Sequence, residues 1–359
     1  MAIGVNPHEV LTRLNHYFKL KPDSIHPPDD YLGTKIKLTT LPNGVKAWGQ
    51  SSSHYILNSV ANLEDWMSKN GYKLPRKAST PMSTSYRPEL DVSPLLDENL
   101  ANYYQSLIGV LRWAVEIGRI DITTEVSMLA SHMAMPREGH LFAVFHVFAY
   151  LKQKHNSRLI FDPTPPRINV NQLKVNEDWK TFYGDVSEAI PPNSPQPRGK
   201  SVVLRLFVDS DHAGDQITRR SRTGYIQMVN MAPIAWYSKK QGSIEGSTFG
   251  SEFVALKTGM EANRALRYKL RMMGVPVDGP TYVFCDNMSV VHNTSSPEST
   301  LKKKSNAIAY HAVRESVAMG EMLIAFIKSD ANIADIMTKV LPGGEKRNTL
   351  IKKLLWDIT

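Results

Sequence analysis

Between residues 201 and 340, strand-length apolar runs alternate with helix-length stretches in the order βββαβαβα, and few folds satisfy that order. SVVLRLFVD is almost continuously apolar, as expected of a strand covered on both faces. RTGYIQMVN and APIAWYS follow as two further strands. A long helix is expected from an N-cap at Ser247 to about Met273, where Gly274 and Pro276 stop it. TYVFC and EMLIAFIK read as a fourth and a fifth strand, with a helix over 309–317 between them. Residues 333–340 read as a last short helix. The pattern predicts an α/β unit on one mixed five-stranded sheet.

Four acids fall at telling places in that order: Asp209 in FVDSDHAG, Glu252 in STFGSEFVAL, Asp286 in VFCDNMSVV and Asp335 in NIADIMTK. Asp209 and Asp286 end apolar strands, the edge of an open α/β sheet where ligands gather. If the first strand is central and the fourth lies beside it, the two become neighbours. Glu252, on the first turns of the long helix, and Asp335, after the fifth strand, can then join them. A carboxylate in apolar surroundings is costly unless paired, and four together raise one another's pKa values. Hard divalent cations remove both penalties, because they prefer oxygen ligands. The expected chemistry is metal-assisted cleavage of a phosphodiester by a pair of Mg²⁺ ions, with Mn²⁺ as substitute.

Upstream, residues 1–74 are mixed. A helix is expected over 5–18 through Val10, Leu14 and Phe18. DYLGTKIKL and NGVKAWGQ read as a hairpin turned by Asn43-Gly44. A helix from Ser53 onward puts Ile56, Leu57, Val60, Leu63 and Met67 on one face. Residues 97–155 read as a helical bundle, with Tyr104, Leu107, Ile108 and Leu111, then Leu141, Val144, Phe145, Phe148 and Leu151, at helical spacing. Prolines break periodicity over 75–94 and mark 162–200 as an extended connector.

The 359-residue chain carries a net charge of +9, which favours polyanion partners and nucleic acid first. Its single cysteine, Cys285, excludes a disulfide framework and a Cys-rich zinc site. No apolar run is long enough to span a bilayer and no signal-peptide pattern is seen, so a soluble intracellular protein without membrane partner is expected. Lys302, Lys303 and Lys304 read equally as a solvated charge run and as phosphate contacts. Arg219, Arg220 and Arg222 read first as hairpin surface and second as phosphate contacts. Asp211 reads as a solvated turn residue ahead of a group outside the metal ligands. Packing is the simpler reading for His132, His140, His146 and His311, and for Tyr103, Tyr104 and Trp113; Trp236 and Tyr237 stay open between core packing and base stacking.

The acids in this strand–helix order resemble the RNase H fold. More narrowly, VDSDHAGD, STFGSEFVALK, FCDNMSVV and NIADIMTK resemble the RNase H domain at the carboxyl end of a copia-type retrotransposon Pol polyprotein. DYLGTKIKL and SHYILNSV resemble the end of a reverse transcriptase palm. YYQSLIGVLRW, DITTEVSMLASHMAMP and HLFAVFHVFAYLK resemble the segment linking polymerase to RNase H. The resemblance implies a palm remnant over 1–80, a helical thumb or connection segment over 81–161, the proline-rich linker over 162–200, an RNase H-like domain over 201–340 and a tail over 341–359. It also implies that Asp209, Glu252, Asp286 and Asp335 bind metal and cut the RNA strand of an RNA–DNA hybrid, with other parts of the Pol polyprotein as partners, in the cytoplasm or a virus-like particle. No small-molecule cofactor is implied.

Three features depart from the family. No Tyr-x-Asp-Asp turn occurs, and Asp29-Asp30 is not that hairpin, so polymerase activity is not expected of this chain alone. KSDANIAD has no histidine before the last acid, and His212 stands in HAGD where WAGD is usual. Two other functions compete: an inactive nucleic-acid-binding relic of a mobile element, and a transposase or integrase. The latter orders its acids Asp, Asp, Glu, which this chain does not.

Overall fold

Apolar faces at helical spacing in the first half of the chain close on one another. The computed structural model describes residues 6–21, 28–169, 173, 178–301 and 306–358. Helix α1 is Pro7–Tyr17, but its stripe is uncovered: Val10, Leu14 and the following Phe18 are all exposed. Strands β1 (Asp30–Tyr31), β2 (Thr34–Thr40) and β3 (Lys46–Ser51) form an antiparallel meander. The β2–β3 turn carries Gly44 at φ +80°, a conformation glycine adopts without strain. Helix α2 (Ser53–Asn70) buries Ile56, Val60, Leu63 and Met67, leaves Leu57 in solvent, and ends at left-handed Gly71. It shares one core with α3 (Glu98–Glu116), α4 (Thr123–Ala130) and α5 (Glu138–Gln153). The Asp97 carboxylate caps α3 by accepting from the Leu100 N–H at 2.8 Å.

Strand β4 (Arg158–Phe161) pairs with β3 and starts a long excursion. Among its described residues the connector that follows contains one short helix, α6 (Lys180–Tyr183), and it is anchored where Arg267 and Arg271 both grip Glu188 at 2.6 Å. The second sheet comprises β5 (Leu204–Asp211), β6 (Arg222–Val229), β7 (Ala232–Lys240), β8 (Thr281–Cys285) and β9 (Met322–Phe326), in the order β7-β6-β5-β8-β9. β5 is central, antiparallel to β6 and parallel to β8. Helix α7 (Thr248–Met272) starts from Ser247, whose hydroxyl accepts from the Gly250 N–H at 3.2 Å. It packs on one face with α9 (Ala307–Ala318), and Gly259 brings it against Leu206 and Val208 of β5. A helix not expected from the sequence, α8 (Met288–Ser295), follows β8 and is capped by Asn287.

Two expectations at the carboxyl end need correction. The helix expected over 333–340 is a single 3-10 turn, Ile333–Met337. The Asn332 side chain fixes it by accepting from the Ala334 N–H and donating to the Val208 carbonyl, so the backbone turns under the sheet instead of extending. Residues 341–359 are not a bare tail. They form α10 (Glu345–Lys352) and β10 (Leu355–Trp356), and β10 pairs with β4 as the last strand of the first sheet. Leu350, Ile351, Leu354 and Leu355 are buried there among Ile120, Leu159, Ile226 and Met337.

A buried polar hub ties these parts together. Arg119 donates to Asp121 at 2.9 and 2.7 Å, and the Tyr150 hydroxyl donates to the same carboxylate at 2.8 Å. Arg347 of α10 reaches the Asp121 carbonyl at 3.2 Å. Pairing is what makes a charge tolerable at zero exposure. Among the described residues no helix is long and apolar enough to cross a membrane.

Candidate active site

The register of β5 decides where the site lies. Asp209 sits opposite Gly224 of β6, two residues short of the strand end, and is almost fully buried. Because β8 runs parallel beside β5, Asp286 emerges at the same sheet edge. The close approach of α7 to β5 brings Glu252 over that edge, and the 3-10 turn brings Asp335 up from the other face. Carboxylate oxygens of Asp209, Asp286 and Asp335 lie within 4.8 Å of one another. Those of Glu252 and Asp286 lie equally close, with the Cys285 sulfur as third member. The four acids thus form two overlapping groups that share Asp286.

Gly224 makes this possible. A Cβ at that position would stand 2.5 Å from the Met337 Cβ and 2.6 Å from the Thr338 Cγ2, so only glycine lets the 3-10 turn lie flat on β6. Thr338 then donates its hydroxyl hydrogen to Asp209. Lys339 bridges the acids, 3.2 Å from Asp209 and 2.7 Å from Asp335, and Lys346 of α10 reaches Asp335 at 2.5 Å.

The electrostatics are lopsided. Burial pushes the Asp209 carboxyl up to about 6, Lys339 pulls it back, and Asp335 and Asp286 raise it. Burial also lifts Glu252 well above the usual carboxylate range, with Asp209 and Asp286 adding to the rise. Its Oε2 is buried without a hydrogen-bond partner among the described residues. A buried acceptor with no donor is costly, and a cation beside it removes the cost. Four converging oxygen donors and that orphaned atom suit a hard divalent ion. Burial holds the Cys285 thiol well above its ordinary value, so it stays protonated and adds no hard ligand.

The remaining sequence candidates are dispersed. Arg219 and Arg220 are exposed on the β5–β6 loop. Arg222 is buried and donates to Ser127 of α4 at 2.8 Å, which binds it to the protein. Lys302, Lys303 and Lys304 lie outside the described residues. Asp211 faces a cleft, its carboxyl raised by burial. His140 and His146 bond to the carbonyls of Pro88 and Thr80, His311 to the Tyr183 hydroxyl, and His132 stacks on His140. Tyr104 is buried and Tyr103 stacks on Trp66, so neither is a free platform. Thr338, Lys339 and Lys346 were not among the sequence candidates. The i,i+4 spacing of Asp335 and Lys339 is the one signal that could have found Lys339.

The central strand, its neighbours and the acids at their ends define an RNase H-like α/β domain. Over most of its length the chain is homologous to retrovirus-related Pol polyproteins of copia-type transposons. It is 24% identical over 335 residues, 93% of this chain, to that of transposon RE1 from Arabidopsis thaliana. It is 25% identical over 291 residues, 80% of this chain, to that of transposon TNT 1-94 from Nicotiana tabacum. Each match takes in 19% of the relative, so the chain spans about a fifth of their length. No family model matches. Among solved structures, LC11-RNase H1 in complex with RNA/DNA hybrid aligns with 38% of this chain and 96% of its own, at 15% identity and TM-score 0.32. The N-terminal RNase H domain of a Mycobacterium tuberculosis protein aligns with 42% of this chain and 98% of its own, at 14% identity and TM-score 0.30.

Proposed function

We propose that this chain is a metal-dependent endonuclease that hydrolyses the RNA strand of RNA–DNA hybrids, within a transposon Pol polyprotein. The observation that carries the reading is the meeting of four carboxylates from remote segments in two groups sharing Asp286, beside the orphaned Glu252 Oε2. Asp209, Glu252, Asp286 and Asp335 would hold the metal. Two Mg²⁺ or Mn²⁺ ions held there would supply activation of the attacking water and stabilisation of the leaving oxygen. The protein's own part is positioning. Thr338 and Lys339 fix Asp209, while Lys339 and Lys346 fix Asp335, so the acids need little rearrangement when charge enters. Exposed Arg219 meets a backbone phosphate of the hybrid, which is recognised by shape and 2′-OH groups.

The test is cleavage of an end-labelled hybrid with Mg²⁺. Asp209→Asn should abolish product while leaving the fold intact by circular dichroism. Intact hybrid after incubation with folded, metal-loaded wild type overturns the proposal. One observation favours a second reading, an inactive nucleic-acid-binding relic: Lys339 and Lys346 already balance Asp209 and Asp335. That reading expects salt-dependent hybrid binding without turnover.

A further inference from the structure

A cleft of about 120 Å³ opens beside the acids and is lined by Asp211, Thr338 and Lys339. A trench of about 770 Å³ lies between α3, α4 and β7. Ser131, Arg220 and Lys240 line both, so the two adjoin across these side chains and form neighbouring stretches of one surface. Its direction follows from the sheet. Lys240 at the end of β7 is in register with Arg222, which is in register with Asp211 at the end of β5. Two strand spacings, roughly 10 Å, separate the trench from the strand that carries Asp209. A nucleic-acid strand rising about 3.4 Å per residue covers that distance in roughly three nucleotides.

The lining suits such a strand. Arg112, Arg220 and Lys239 are exposed, and none is in an ion pair among the described residues. The trench itself holds one carboxylate, Glu116, while the cleft adds Glu89, Asp211 and Asp215, the last paired with Lys240 at 2.6 Å. Trp236 and Glu116 line both the trench and a neighbouring cavity of about 330 Å³, where Trp113 is 39% and Tyr31 46% exposed. Unpaired cations followed by accessible aromatic rings form the usual surface for unpaired bases on a charged backbone. A duplex offers the rings no base faces, and the trench has the volume of a small-ligand pocket rather than a duplex channel.

We propose that this groove binds single-stranded nucleic acid continuing from a hybrid seated at the acids, with Arg220, Arg112 and Lys239 on phosphates and Trp113 and Tyr31 beneath bases. It rests on the nuclease reading only for where the hybrid sits.

The test is fluorescence anisotropy in chelator, where no turnover occurs. A blunt hybrid is compared with the same hybrid carrying a single-stranded DNA or RNA extension of roughly ten nucleotides. Wild type should bind one of the extended hybrids about tenfold tighter than the blunt one, the effect of one stacked base. The arm that gains identifies the strand. Arg112→Glu/Lys239→Glu should lose that gain, leave blunt binding unchanged, and cut the slope of log K against log salt by about 1.4 for two single-strand phosphates. Trp113→Ala should lose part of the gain without a change in slope. Equal binding of blunt and both extended hybrids, or a double variant that keeps the full gain, overturns the proposal. Hybrid that binds with the extension effect but is never cut with Mg²⁺ refutes the nuclease and leaves the groove standing.

Discussion

Gly224→Ala is the most searching perturbation of the site, because it adds one methyl group to a residue that has no ionisable side chain. That methyl would sit 2.5 Å from the Met337 Cβ, 2.6 Å from the Thr338 Cγ2 and 3.0 Å from the Met337 carbonyl carbon. Carbon atoms rest at about 3.5–4.0 Å, so the 3-10 turn must retreat by roughly 1 Å. Main-chain and Cβ atoms are involved, so no rotamer change relieves the clash. Overpacking of this kind costs about 1–3 kcal/mol. The turn that moves carries Asp335 and runs directly into Thr338 and Lys339, and a misplacement of about 1 Å costs on the order of 10²-fold in rate. Urea denaturation and single-turnover cleavage of a labelled hybrid read the two effects. Gly109→Ala is the control: the position lies on α3 with nothing within 4 Å, so alanine should raise stability by up to about 1 kcal/mol and leave cleavage alone. Wild-type stability and rate in Gly224→Ala would refute the claim that this glycine seats the acids.

Two further outcomes are expected. In chelator, the Asp209 carboxyl titrates near 6 in the folded protein against an ordinary 3.8. The native state therefore holds a proton that the unfolded chain has lost, and stability falls as pH rises from about 4 to about 6, by on the order of 3 kcal/mol. The difference in unfolding free energy between wild type and Asp209→Asn isolates this slope, and a flat difference would remove burial as its cause. Added Mg²⁺ at pH 7 should restore about 2.7 kcal/mol at a hundredfold excess over its dissociation constant. Arg119→Ala strands the buried Asp121 carboxylate and should cost about 3–5 kcal/mol in urea titration; a loss under about 1 kcal/mol would show that Tyr150 and Arg347 suffice.

What the sequence made legible was local. The 3.6 period of Tyr104, Leu107, Ile108 and Leu111 marks the buried face of α3 without help from the rest of the chain. The apolar run ending in Asp209 marks a central strand, and the order of strands and helices brings the four acids to one edge. What escaped depends on contacts distant in sequence. Nothing around Gly224 announces that Met337 will lie against it, and a threonine and lysine after the last acid carry no pattern of their own. Arg222 reads like Arg219 and Arg220, yet strand register turns it inward to Ser127 while they stay in solvent. Leu57 keeps the helical spacing of its face but stays 42% exposed. The last residues of the chain are too few to advertise a strand, and β10 exists only because β4 has a free edge beside it.

That final pairing sets the timing of folding. Arg158 of β4 must wait for Trp356 before the first sheet is whole, and Arg347 arrives at the Asp121 hub just as late. At about 5–20 residues per second a ribosome needs on the order of 10–40 s to make the chain between them. For that interval the amino-terminal half carries an open strand edge and an incomplete polar cluster, so aggregation and chaperone capture during synthesis should concentrate on nascent chains stalled before α10 emerges.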